Sequence, residues 1–206
     1  MSKVQVDTID TRSGTSTMQI GSTNTSTINI GVSGDTVNIP SGVTIANAGT
    51  ATGFGEANTP YFAARLNSSQ TISDATTTKI AFDTEELDSD NAFTTGASAN
   101  FTVPSGKAGK YFLSVHTVSY PTDGNSKLSN NVTSIRLNDA QIVETYSDYS
   151  SNQGFTIGAS VDIIVALAEG DVITFFAYID ALSGTVFLRG ASDRRTYCHG
   201  FRISAS

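Results

Sequence analysis

The sequence predicts an all-β protein in two parts, a repetitive β stalk followed from about residue 60 by a sandwich or jelly-roll head. Three observations carry this prediction. No stretch shows a 3.6-residue apolar period, whereas the chain after Tyr61 reads as ten short strands separated by turn formers. Of 18 aromatic residues, 17 lie from Tyr61 onward, so the large side chains that a packed core needs are all but confined there. Before that point, 24 of the 45 residues from Thr11 to Gly55 are Ser, Thr or Gly.

The first part has a pattern. Thr17-Met18-Gln19-Ile20-Gly21 recurs as Thr27-Ile28-Asn29-Ile30-Gly31 and as Thr36-Val37-Asn38-Ile39-Pro40, with a truncated copy at Val43-Thr44-Ile45. Each copy is apolar, polar, apolar and then a turn former, which is a very short strand plus a corner, as in a β-solenoid or an interwound β-prism. One copy cannot bury its two apolar side chains alone. Three chains wound about a common axis can, with Met18, Ile20, Ile28, Ile30, Val37 and Ile39 inside. The expectation is a stalk over residues 17–58, preceded by an attachment segment over 1–16. A flexible Ser/Thr/Gly linker is the competing reading, but a linker does not need regularly placed Ile and Val.

The head is expected over 61–206. Its candidate strands are Tyr61–Asn67, Thr76–Asp83, Asn100–Val103, Lys110–Ser119, Ser134–Asn138, Gln141–Tyr146, Ala159–Ala168, Asp171–Ile179, Thr185–Arg189 and Gly200–Ser204. Lys110–Ser119 alternates most usefully: Tyr111, Leu113 and Val115 share one face, and Phe112, Ser114 and His116 the other. The first set is expected in the core. Phe112, His116 and Val118 are candidates for contact between chains. Glu169-Gly170-Asp171 reads as a hairpin turn into Val172-Ile173-Thr174-Phe175.

Composition excludes several functions. The net charge is −7 and no Lys/Arg cluster occurs, which argues against a partner held by phosphates. Cys198 is the only cysteine, so no internal disulfide can form. The longest apolar run, Ile163 to Ala168, is too short to span a bilayer, and the first residues lack the apolar core of a secretory signal. Synthesis in a cytoplasm is expected, and the Asn-x-Ser/Thr triplets at Asn24, Asn67, Asn100 and Asn131 then read as accidents of composition.

Candidate sites are few. Asp83 to Asp90 is the densest acidic run, and Asp88 and Asp90 have the alternate spacing of calcium ligands. The run lacks the glycine and closing glutamate of a helix-loop-helix calcium loop, and the plainer expectation is a solvated surface loop with no cofactor. Cys198 and His199 are adjacent and on a strand point to opposite faces, so they do not chelate one metal. No nucleophile elbow, phosphate-binding loop or zinc-protease motif is present, and no enzyme is expected. Tyr146, Tyr149, Asn152 and Gln153 belong to a hydroxyl- and amide-rich connection suited to recognition, sugars included.

The spacing Phe82, five residues, Asp88, four residues, Phe93, followed by Phe101, Gly109-Lys110-Tyr111, Leu113 and Val115, resembles the signature of the C1q-like globular head, a relative of the tumour necrosis factor fold. Phe101 comes one residue later than the signature has it and Gly109 two, and Leu113 and Val115 stand where the family prefers aromatics. Leu167 to Val172 and Gly200-Phe201-Arg202-Ile203 are similar to the family's later strands. The resemblance implies a ten-stranded jelly roll that assembles as a trimer, and some relatives bind calcium. The N-terminal Lys3 to Ile9 followed by Ser/Thr/Gly repeats resembles the start of phage fibre proteins. Together these imply a virion fibre whose trimeric head meets a host-surface glycan or protein, anchored through its N-terminal segment to other virion proteins, with no membrane insertion. A purely structural capsid fibre or decoration trimer, and a polysaccharide-degrading spike, are the alternatives.

Overall fold

The computed structural model describes residues 20, 23–24, 26–44, 46, 58–121, 127–151, 154–182 and 185–205. The chain divides into two units, Met1–Thr52 and Gly53–Ser206. In the first, turns fall at Thr23-Asn24, Ser33-Gly34 and Ser41-Gly42, at corners of the repeat. The Ser33-Gly34 turn is closed by Asp35 N donating to Val32 O (2.9 Å) and by Val32 N donating to the Asp35 carboxylate (2.9 Å). None of the described residues of this unit is in a strand, and Ile20, Ile28, Ile30, Val37 and Ile39 all face solvent in the single chain. Met18 lies outside the described residues.

The second unit is a sandwich of two antiparallel sheets, with one 3₁₀ turn at Gly96–Ser98. Its backbone is β7 (Gly109–Pro121), whose 13 residues alternate strictly between buried and less buried. In the first sheet β10 (Ile157–Leu167) pairs along one edge of β7, from Ile157 opposite Ser119 to Leu167 opposite Gly109. The other edge is shared by β13 (Tyr197–Ala205) and β12 (Val186–Leu188). Beyond β13 lie β1 (Tyr61–Arg65) and then β4 (Thr84–Asp88), and beyond β12 lies β2 (Gln70–Ile72). The second sheet runs β5 (Phe93–Thr94), β6 (Asn100–Thr102), β11 (Val172–Ala181), β8 (Leu128–Leu137), β9 (Ala140–Asp148), with β3 (Thr78–Lys79) also on β11.

Ten predicted strands thus become thirteen. The additional three are β2, β4 and β5, each short or charged. The acidic run is corrected: Thr84–Asp88 is strand β4 on the edge of the sheet, paired with β1, and its charges are those that keep an edge strand from joining other chains. Glu169-Gly170 is also corrected. It is a turn, with Gly170 at φ 82°, but β10 and β11 do not pair; the turn carries the chain from one sheet to the other. The β6–β7 connection through Ser105-Gly106 crosses in the same way, and the two crossings clasp, with Gly170 N donating to Val103 O (3.0 Å) and Gly106 N to Glu169 Oε2 (2.9 Å). β8 and β9 do form a tight hairpin, turned by Asn138 and Asp139, both at positive φ.

Between the sheets, Phe62 lies at the centre of the core, stacked on Phe101 (4.5 Å between ring centres) and on Phe93 (5.2 Å), with Phe82 edge-on to Phe175 (5.8 Å). Tyr111, Leu113 and Val115 are fully buried. Burial pushes the Tyr111 hydroxyl up to about 12, and it donates to the Lys107 carbonyl. Gly109 is required by space: a Cβ there would sit 2.1 Å from the Ser204 carbonyl oxygen. Toward the far end of β7 the interior turns polar, with the Thr117 and Thr133 hydroxyls 2.7 Å apart and Asn131 donating to Ser119 (3.4 Å). Asn131 is wholly buried, so its triplet is no glycan acceptor in the folded chain.

Candidate functional site: an aromatic outer face

The outer face of the first sheet collects aromatics that sequence alone scatters. The alternation that buries Tyr111, Leu113 and Val115 turns Phe112, His116 and Val118 outward, all three half-buried. Antiparallel register then sets neighbours beside them. Phe112 lies between Ile164 of β10 and Phe201 of β13, and Phe201 is opposite Tyr61 of β1. His116 lies between Ser160 and Tyr197, and His199 is opposite Ala63, which pairs with Leu87. The rings touch: Phe112 to Phe201 at 5.4 Å, His116 to Tyr197 at 5.4 Å, and Tyr197 stacked on His199 at 5.9 Å. Ile164 is 65% exposed and Leu87 56%, so no part of the described chain covers this face.

Beside the rings lies an open depression of about 700 Å³, lined by Tyr61, Ala63, Glu86, Leu87, Arg194, Tyr197, His199 and Phe201 among others. Its polar rim is fixed. Glu86 accepts from Arg194 Nε (2.7 Å) and Arg65 Nε (2.9 Å), and these two guanidiniums, Arg194 foremost, hold its carboxyl below the ordinary range. Arg195 instead pairs with Asp193 (2.7 Å). Burial among the rings lowers both His116 and His199 from the usual imidazole value.

The face is mainly aromatic and aliphatic. His116 Nδ1 lies 2.6 Å from Ser160 Oγ, but no carboxylate among the described residues bonds its other nitrogen to orient it as a base. Cys198 is fully buried and its thiol is raised by desolvation, while His199 points outward, so the two are indeed on opposite faces. Asp88 has structural work: its carboxylate accepts from Phe93 N (2.7 Å) and Asp90 N (3.2 Å), tying β4 to β5, and no cluster of three metal-ligating side chains occurs among the described residues. Tyr146 is in strand β9, which runs past the expected end at Tyr146 to Asp148, and is exposed, whereas Tyr149 packs against the core. Asn152 and Gln153 lie outside the described residues.

Sequence reasoning missed Tyr61, Leu87, Ile164, Tyr197, His199 and Phe201 as members of this face. Their alternation within strands is visible, but which strands adjoin β7 is not.

Two antiparallel sheets whose strands keep crossing from one to the other make the second unit a jelly roll. Among solved structures it is similar to the Eiger tumour necrosis factor from S. frugiperda, with TM-score 0.50 and 10% identity over 72% of this chain and 96% of that one. The globular domain of zebrafish complement 1qA gives TM-score 0.49 and 14% identity over 72% of this chain and all of the other. No family model matches the chain, and no curated protein matches it.

Proposed function

We propose that the chain is the subunit of a homotrimeric phage fibre whose jelly-roll head serves host-surface recognition. The observation that carries the reading is the aromatic outer face of β7, β13 and β1, with Phe112, Phe201, Tyr197 and His199 in contact with one another and unpartnered in the single chain. Contiguous solvent-reaching aromatics of this kind mark a protein interface. The exposed Ile and Val of the repeat make the same demand for further copies. Three heads on one fibre convert weak single contacts into avidity. In this reading residues 1–16 attach to other virion proteins and the mature location is the virion.

The test is sedimentation together with adhesion. The full chain is expected to sediment as a trimer and to bind a subset of bacterial strains. Phe112→Asp with Phe201→Asp is expected to yield a folded monomer that has lost adhesion. A wild-type monomer would overturn the assembly, and a trimer that binds no cell and only virion proteins would overturn the adhesin in favour of a structural fibre.

A further inference from the structure

If copies cover the outer face of the first sheet, the outer face of the second is what the head leaves in solvent. That face is polar and shaped. We propose that it holds a binding site for a neutral saccharide, set between Tyr146 and Tyr178; the inference deepens the adhesin reading and rests on it for the occupant.

Register places the groups. Tyr178 of β11 and Tyr146 of β9 are both opposite Val132 of β8, so the two phenols flank one apolar floor residue across about 10 Å of sheet. A depression of about 350 Å³ opens there, within the range of small-ligand sites. Around the floor stand Asn130, Ser134, Gln141 and Glu144. Asn130 is a bridge: its Oδ1 lies 3.3 Å from the Tyr146 hydroxyl and its Nδ2 3.4 Å from the Asp180 carboxylate. Turning the amide round lets its Nδ2 donate to Ser129 O (2.8 Å), Asp148 Oδ1 (3.3 Å) and the Tyr146 hydroxyl (3.3 Å), so Tyr146 is bonded to the amide either way.

The lining selects the ligand class. A sugar ring offers a C–H face that packs on an aromatic ring and a rim of hydroxyls that both donate and accept. Two phenols supply the first need; two amides, a hydroxyl and a carboxylate supply the second. Among the described residues the lining holds no cationic side chain, and the guanidinium of Arg136, whose strand position is opposite Gln141, lies over the Phe176 ring, 4.0 Å from its centre, which disfavours phosphorylated or acidic ligands. Tyr146 is 57% exposed, so the core does not require it.

The test uses the full chain against immobilised oligosaccharides ending in glucose, galactose, mannose or N-acetylglucosamine, with sialylated and phosphorylated ones alongside, and saturation-transfer NMR on those retained. At least one neutral saccharide is expected to bind. Tyr146→Ala and Gln141→Ala, both at exposed positions, are each expected to weaken it about tenfold, and Tyr146→Phe less, since the ring is kept. No neutral binder at millimolar concentration, preference for acidic saccharides, or binding unchanged in both alanine variants would overturn the site. Cell adhesion unchanged in Tyr146→Ala/Tyr178→Ala overturns the site and leaves the adhesin standing. Saccharide binding lost in those variants, in a chain that adheres to no cell, supports the site and overturns the adhesin.

Discussion

Gly200 and Phe62 are expected to be energetically coupled. An alanine Cβ at 200 would lie 2.7 Å from Phe62 Cε1, 2.9 Å from its Cζ and 2.8 Å from Leu113 Cδ2. None of these atoms can retreat freely, because Phe62 is stacked on Phe101 and Phe93 and Leu113 is fully buried. Gly200→Ala should therefore cost about 1–3 kcal/mol by overpacking. Phe62→Leu removes the ring atoms, and its cost should fall below the roughly 3–5 kcal/mol of a full truncation. In that background, of the three closest contacts only that with Leu113 remains, so the double variant should be less destabilised than the sum, by about 1–2 kcal/mol. Urea unfolding followed by far-ultraviolet circular dichroism, at one protein concentration and with equal slopes, measures all four corners. Additivity within about 0.5 kcal/mol would refute the packing on which the core description rests.

Two further outcomes are expected. Thr117→Val or Thr133→Val alone strands a buried hydroxyl and should cost about 1–3 kcal/mol, whereas the double change should cost little more than one; a double cost equal to the sum, by the same unfolding assay, would show that the 2.7 Å contact is not a shared hydrogen bond. Folded His116 and His199 titrate below their ordinary 6.5, so the unfolded chain takes up protons first and stability is lost as pH falls through that value toward the lower folded ones. The urea midpoint should drop between about pH 7.5 and about 5.5 in the wild type and flatten in His116→Gln/His199→Gln, separately from the Glu86 contribution, which is lost only in the acid range; equal slopes would refute it.

How much was legible varies with how local each feature is. The strand from Gly109 could be read because a buried and an exposed set alternate over many residues, and Phe82, Phe93 and Phe101 could be placed in the core because their spacing carries a resemblance. β4 could not, since Glu85, Glu86 and Asp88 on an edge strand look like any acidic loop. Glu169-Gly170 announces a reversal but not a partner, so a crossing between sheets passed for a hairpin. Phe62 gave no signal of its central place, because stacking on Phe101 depends on a strand pairing far along the chain. The aromatic face and the Tyr146–Tyr178 depression share that cause: register across strands assembles both.

The pairing of β1 with β13 sets a condition on synthesis. Tyr61 to Arg65 wait for Tyr197 to Phe201 before they have a neighbour on that side, and β7 waits for the same residues along much of one edge. A growing chain can gather the second sheet early, from β6, β8, β9 and β11, but the first closes only when β13 emerges from the ribosome. The aromatic surface depends on that strand for Tyr197, His199 and Phe201. A chain truncated before that strand therefore presents only part of the aromatic face, so in the proposed trimer its head contact is completed last.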